Sequence, residues 1–294
     1  MNKTNHIYGY IISIIGSACY GLNPLFALPL YATDVDPMSV LFYRYAFSLV
    51  LMAAWMFIRH ESFRVTWREF MLTMVMGVMF AGSSACLFFS FKYMDAGLAS
   101  VILFTYPLFV ALFSWLLFRE RLTAVTAMSI VVAFAGILML KGDGTSQVEG
   151  GSQYLGMLLA LGAGLSYAFY LIGVNRSVLK SMNTARLSFY ALLSGTILFL
   201  ISTRLGADIT LLPDGYAWFN ALGLSLFPTI ISMVLVTRAI HIIGSTPASI
   251  IGALEPLTAL LVSVAVFGGI ITPLNILGII LILGAVVLMV SKKV

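Results

Sequence analysis

Charge is scarce in this sequence. Only 9% of its 294 residues are Asp, Glu, Lys or Arg, against roughly 25% in an ordinary soluble domain. Hydrophobic residues make up 61% of the chain and the mean hydropathy is +1.05. So little charge excludes a soluble globular fold and leaves a polytopic membrane protein. Short alternating strand-like segments are missing too, which excludes a β-barrel. Cysteine is nearly absent. Cys19 and Cys86 both fall inside apolar runs and read as reduced packing residues. His6, His60 and His241 have no metal-ligand spacing, so neither metal nor cofactor is expected. No HExxH, GxSxG or GxxxxGK[ST] occurs, nor a loop motif of paired carboxylates. Enzymatic and ATP-driven functions are therefore not indicated.

What is present is a series of apolar runs of about 18 to 25 residues, the length that crosses a hydrocarbon core of about 30 Å. Bounded by charges, Pro or Gly, they predict spans near 7–29, 38–58, 69–91, 96–118, 123–141, 154–174, 185–203, 216–239, 246–268 and 273–291. The first span continues about ten residues past Cys19, so an uncleaved helix is expected in place of a signal peptide or lipidation site. The polar, Gly/Ser-rich stretch KGDGTSQVEGGSQ reads as a linker and divides the chain into 1–142, 143–153 and 154–294.

Ten spans put both termini on one side, and that side collects twelve of the fifteen Lys and Arg residues other than Arg44. Lys92, Lys141 and Arg204 lie opposite, near Asp34 and Asp36. The positive-inside rule makes the richer side cytoplasmic. The net charge of +5 thus reports topology and gives no reason to expect nucleic acid as a partner. Trp55, Trp67, Trp115 and Trp218 near span ends read as interfacial anchors, and Arg119, Glu120 and Arg121 as a topology-setting turn.

The sequence also repeats itself. GLASVILFTYPL at 97–108 aligns without gaps on TPASIIGALEPL at 246–257, sharing Ala, Ser, Ile, Pro and Leu at an offset of 149. A nearby offset of 147 pairs Tyr20 with Tyr167 and Phe42-Tyr43 with Phe189-Tyr190. A duplicated unit of five spans enters the membrane the second time from the other side. The expected fold is therefore all-α, with ten transmembrane helices in two inverted five-helix repeats, an architecture recurrent in secondary transporters.

The order of elements resembles the EamA-type family of the drug/metabolite transporter superfamily over nearly the whole chain. The residues that carry it are FYRYAF with Arg44, the YPLF segment with Pro107, the RERLT turn at 119–123 and ALEPLTAL with Glu255 and Pro256. Gly269 stands where Glu120 does in the first repeat and Ala191 where Arg44 does, so the halves are chemically unequal. The resemblance implies a carrier of small metabolites in the inner membrane, with export of amino acids or related compounds first. The lipid bilayer is its setting, protons are a candidate coupling ion, and a monomer or weak homodimer is the simplest assembly. Efflux of cationic drug-like compounds and a non-transporting scaffold or sensor are the other readings.

Ionisable groups within spans are costly and mark functional positions by default. Arg44 and Glu255 are the two clear cases. Counting 1.5 Å per residue places them at depths that two long side chains could bridge. They form either a buried pair that locks the helices or two separate cavity groups, Arg44 for a substrate carboxylate and Glu255 for an amine or a proton. Desolvation and a neighbouring guanidinium act on such a carboxylate in opposite senses, and their balance decides whether it exchanges protons. Tyr106 takes the place of Glu255 in the first repeat. Tyr20, Asn23, Tyr167 and Tyr170, in corresponding spans 1 and 6, are further candidate substrate contacts, each with packing as the alternative. Pro107 and Pro256 are expected to kink spans 4 and 9 in a matched way. The GSS at 82–84 reads as a close helix contact.

Overall fold

The computed structural model describes residues 3–119, 123–140 and 152–291. Helix starts are set by the few polar residues that the sequence keeps for its loops. Asp36 caps α3 (Pro37–Ile58) by accepting from the Met38 amide at 2.8 Å, with Pro37 in the first turn where its missing N–H costs nothing. Thr66 and Glu69 form a capping box on α4 (Trp67–Ser90). Asp95, Thr123, Asn183 and Asp214 cap α5 (Ala96–Leu103), α7 (Ala124–Met139), α9 (Thr184–Ser202) and α10 (Gly215–Ser225). The other helices are α1 (Lys3–Gly21), α2 (Asn23–Tyr31), α6 (Tyr106–Phe118), α8 (Gln153–Asn175), α11 (Ser232–Ile243), α12 (Ser245–Ile251), α13 (Leu254–Phe267) and α14 (Pro273–Ser291).

Among the described residues eight helical segments are long and apolar enough to cross a membrane, and α7 and α13 are shorter apolar helices. Among the described residues there is no strand. The RERLT turn from Glu120 to Leu122, Lys141, Lys292, Lys293 and the expected linker up to Gly151 lie outside the described residues. Of that linker Ser152 and Gln153 are described, and Gln153 already belongs to α8.

The two proline-containing spans correct one expectation. Each is interrupted where a kink was expected. Span 4 breaks between α5 and α6 at Phe104-Thr105, and span 9 between α12 and α13 at Gly252-Ala253. Pro107 and Pro256 then fall in the first turn of the restarted helix, where a backbone N–H has no intrahelical acceptor anyway. The offset of 149 maps Ala96 onto Ser245 and Phe118 onto Phe267, the outer ends of the two broken helices. Both end in a left-handed residue, Arg119 at φ 57° and Gly268 at φ 69°. Two further irregularities have no such partner. Span 1 breaks at Leu22 before Asn23-Pro24, and α10 passes into α11 through a π-helical stretch, Leu226–Ile231, around Pro228.

Helix pairing follows the duplication. α3 packs on α9, α5 on α13 and α7 on α14, each helix against its own repeat counterpart. The pair α4 and α8 is matched by α11 and α1. At the α7/α14 crossing the backbones touch: a Cβ added at Gly136 would stand 2.8 Å from the Gly278 carbonyl oxygen. Neither backbone can yield as a side chain would, so Gly278→Val is expected to destabilise the fold by about 1–3 kcal/mol. The check is the melting temperature of the purified protein in detergent; an unchanged value would contradict this packing.

Candidate functional site

A cavity of about 270 Å³ lies between the two halves. The irregular backbone comes to it: both sides of the Leu22 break, the start of α6, the start of α13 and the π-helical stretch contribute to its wall. Irregular backbone is tolerated at membrane depth where it lines a cavity or is buried in protein, which accounts for its concentration here. The structure places Tyr20, Asn23, Arg44, Tyr106, Tyr167, Tyr170 and Glu255 on this one wall, with Pro256; Pro107 is not among the lining residues.

Arg44 is 3% exposed. Its Nε donates to Thr229 Oγ1 at 3.1 Å and its guanidinium carbon lies 5.2 Å from the centre of the Phe88 ring. Glu255 occupies the first turn of α13, where the helix dipole favours a negative charge. Its carboxylate has no hydrogen-bond or ion-pair partner among the described residues. Arg44 and Glu255 form no direct ion pair. The half-buried phenol of Tyr20 interacts with both, in polar contact with the guanidinium and within electrostatic reach of the carboxylate. Gly21 makes this possible, because a Cβ there would collide with the Glu255 carbonyl oxygen and with Thr258. α1 thereby approaches α13 closely enough to set Tyr20 beside the carboxylate.

Aromatic rings form the wall nearest Glu255. Tyr106 and Tyr167 meet edge to face at 4.7 Å between centroids, Tyr167 and Tyr170 stack at 5.8 Å, and Phe80 lies 5.2 Å from Tyr170. Asn23 donates from Nδ2 to the Tyr20 carbonyl at 2.8 Å, while its Oδ1 is buried without a partner. Such an arrangement presents a cation-accepting end at Glu255 and an anion-accepting edge at Arg44 within one small chamber. No three His, Cys, Asp or Glu side chains come together as metal ligands among the described residues.

The chamber is closed on one face and extends to the other. On the closed face Asp95 caps α5 through the Leu98 amide at 2.9 Å and accepts a hydrogen bond from Ser263 of α13 with its second oxygen. Lys92 pairs with Asp36 at 4.0 Å, and the Tyr31 hydroxyl donates to the Phe88 carbonyl at 3.1 Å. Toward the other face the lining runs to exposed Thr184, the first residue of α9, and to Thr237 in α11.

Sequence reasoning missed Thr229, Phe80, Asp95 and Ser263. Pro228-Thr229 inside an apolar run was the one available signal; Asp95 looks like any loop acid until α13 packs beside it. The GSS segment makes close contacts: Ser84 shares a hydrogen bond with the Tyr45 hydroxyl at 2.7 Å, and Gly82 sits beside Ser166.

This fold and chamber define a polytopic helical membrane protein with a solute-sized cavity between two related halves. The model of the EamA-like transporter family matches it twice, over residues 7–141 and 154–291, and the chain belongs to that family, within the drug/metabolite transporter superfamily. It is similar to an uncharacterized transporter of Archaeoglobus fulgidus, with 26% identity over 76% of this chain and 77% of the relative. An uncharacterized transporter of Synechocystis sp. is 30% identical over 71% of this chain and 63% of the relative, just under two thirds of its length. A crystal structure with 17% identity superposes at a TM-score of 0.66, covering 100% of this chain and 99% of the other, a likeness of fold.

Proposed function

We propose that the protein is a secondary carrier that moves a small organic metabolite across the inner membrane by alternating access. In this reading ten helices cross the membrane as two inverted five-helix repeats with both termini cytoplasmic. The observation that carries it is the chamber between the halves, holding Arg44 and Glu255 without charged partners. A buried charge left unpaired is costly, and a scaffold or sensor has no use for two of them. A carrier does, since a passing solute supplies the missing partner. The volume, about 270 Å³, falls just below the roughly 300–1,000 Å³ of drug-sized sites. It suits a metabolite, and the guanidinium in the same chamber disfavours a purely cationic drug. By family resemblance an amino acid or related compound is the first candidate and export the first direction, with protons as the candidate coupling ion.

With the basic loops in the cytoplasm, the open mouth at Thr184 and Thr237 faces inward and the Asp95–Ser263 face points outward. Counterflow of radiolabelled metabolites into proteoliposomes tests the reading. Saturable exchange of at least one small metabolite, abolished by excess unlabelled compound, is the expected result. A broad panel with no saturable exchange would refute the carrier.

A further inference from the structure

We infer that Thr229 is a positioning residue for Arg44: by occupying Nε it fixes the guanidinium so that only its Nη1/Nη2 end is left to receive the anionic group of a solute. The inference rests on the carrier reading of the chamber and goes beyond it by assigning a role in the π-helical stretch. Arginine can meet a planar anion through two edges, Nε with one Nη or the two Nη nitrogens together. Here Nε is taken, at 3.1 Å, by Thr229 Oγ1. The guanidinium can only donate, and the hydroxyl is oriented to accept: its own hydrogen points to the Leu224 carbonyl at 3.2 Å, leaving its lone pairs for Arg44. This orientation comes from the backbone. Pro228 brings no N–H into the helix, the turn widens to the π register, and Thr229 serves a carbonyl five residues back.

The backbone of Arg44 meets the residue just before that stretch. Ser225, the last residue of α10, shares its hydroxyl hydrogen between the Ala221 carbonyl at 2.9 Å and the Arg44 carbonyl at 3.1 Å, and Ser48 Oγ donates to the Ser225 carbonyl at 3.4 Å. α3 is thus tied at Arg44 and again one turn on, at Ser48, to the end of α10 where the π-helical stretch begins. Phe88 covers a face of the guanidinium at 5.2 Å. No carboxylate lies within ion-pairing distance among the described residues, so the Nη end, beside the Tyr20 phenol that is in polar contact with the guanidinium, is left without an anionic partner. A carboxylate matches that end with two parallel hydrogen bonds, whereas a neutral amide of the same shape satisfies it poorly.

The test is equilibrium binding of benzoate and of benzamide, its neutral counterpart, to the full-length protein in detergent, by isothermal titration. Wild type is expected to prefer benzoate by about tenfold or more, as a charge-assisted hydrogen-bonded pair requires. Thr229→Val keeps the side-chain shape but not the hydroxyl, and should lose most of that preference; Thr229→Ser should restore it. If Thr229→Val fails to fold, Thr229→Ala removes the same hydroxyl with less bulk. A merely structural role would lower the melting temperature of the Val or Ala variant and leave the ratio of the two affinities unchanged, which would overturn the proposal. So would a wild type that does not distinguish the two compounds. Binding is read here without transport. Preference for benzoate together with failed counterflow would refute the carrier alone, and counterflow together with an unchanged ratio in Thr229→Val would refute this inference alone.

Discussion

Replacing Glu255 by Gln is expected to reduce metabolite counterflow about 10- to 100-fold, the range for losing a hydrogen bond to a charged group. Stability is expected to stay level or rise in the same variant. The two effects have one cause. In the empty protein the carboxylate has no donor or cationic partner, so its desolvation is offset only by the dipole of α13. Gln keeps the shape and removes the charge, which relieves the empty protein while depriving a cationic group of its partner beside Tyr106 and Tyr167. Opposite movements of activity and stability are characteristic of a functional site and not of a packing residue. Were Glu255 a structural lock, the substitution would lower the melting temperature and transport together. Parallel melting curves and counterflow on one preparation decide it, and undiminished exchange in Glu255→Gln would remove Glu255 from the solute path.

How much of this could be read from the sequence depended on distance along the chain. The match of TYPL with LEPL is local, and it announced both the duplication and the place where Glu255 breaks it. Composition was enough to mark Arg44 and Glu255, since charge within apolar runs is conspicuous, and the tyrosines followed from the repeat alignment. The prolines were misread in one respect. A proline within an apolar run looks like a kink, but the break that precedes it depends on Phe104-Thr105 and Gly252-Ala253, which carry no strong turn signal. α5 and α13, each bounded by one of the breaks, pack against one another, a contact between segments remote in sequence. Polar contacts between remote residues were invisible for a simpler reason. Nothing near Asp95 in sequence names Ser263, 168 positions away, as its partner. Nor does anything near Arg44 name Thr229, 185 positions away.

Ser263→Ala is expected to loosen the closed face, raising the population of molecules open on that side about 10- to 100-fold. Asp95 ties the start of α5 in one half to α13 in the other, so the contact must part before the closed face can open. The alanine leaves the cap on the Leu98 amide in place and strands the second Asp95 oxygen, a cost borne by the closed form. Repeat symmetry shows why one face alone has this tie. At an offset of 149, Ser263 corresponds to Ser114, which is buried in α6, but Asp95 corresponds to Gly244. Gly244 has φ 88°, a left-handed conformation that an aspartate adopts only with strain, and it has no side chain to offer Ser114. The face that lacks the tie is the one toward which the chamber extends. A cysteine at Met94, which is 3% exposed beside Asp95, reports the opening when Cys19 and Cys86 are replaced by serine. With the Asp95–Ser263 face outward, as the proposed topology has it, a membrane-impermeant maleimide added from outside should label it slowly in the parent and about 10- to 100-fold faster with Ser263→Ala, because labelling rate follows the open population. Equal rates in the two proteins would mean that the apolar packing of Leu30, Val35 and Leu98 alone holds the face shut, and that the asymmetry between Asp95 and Gly244 has no part in setting the resting state.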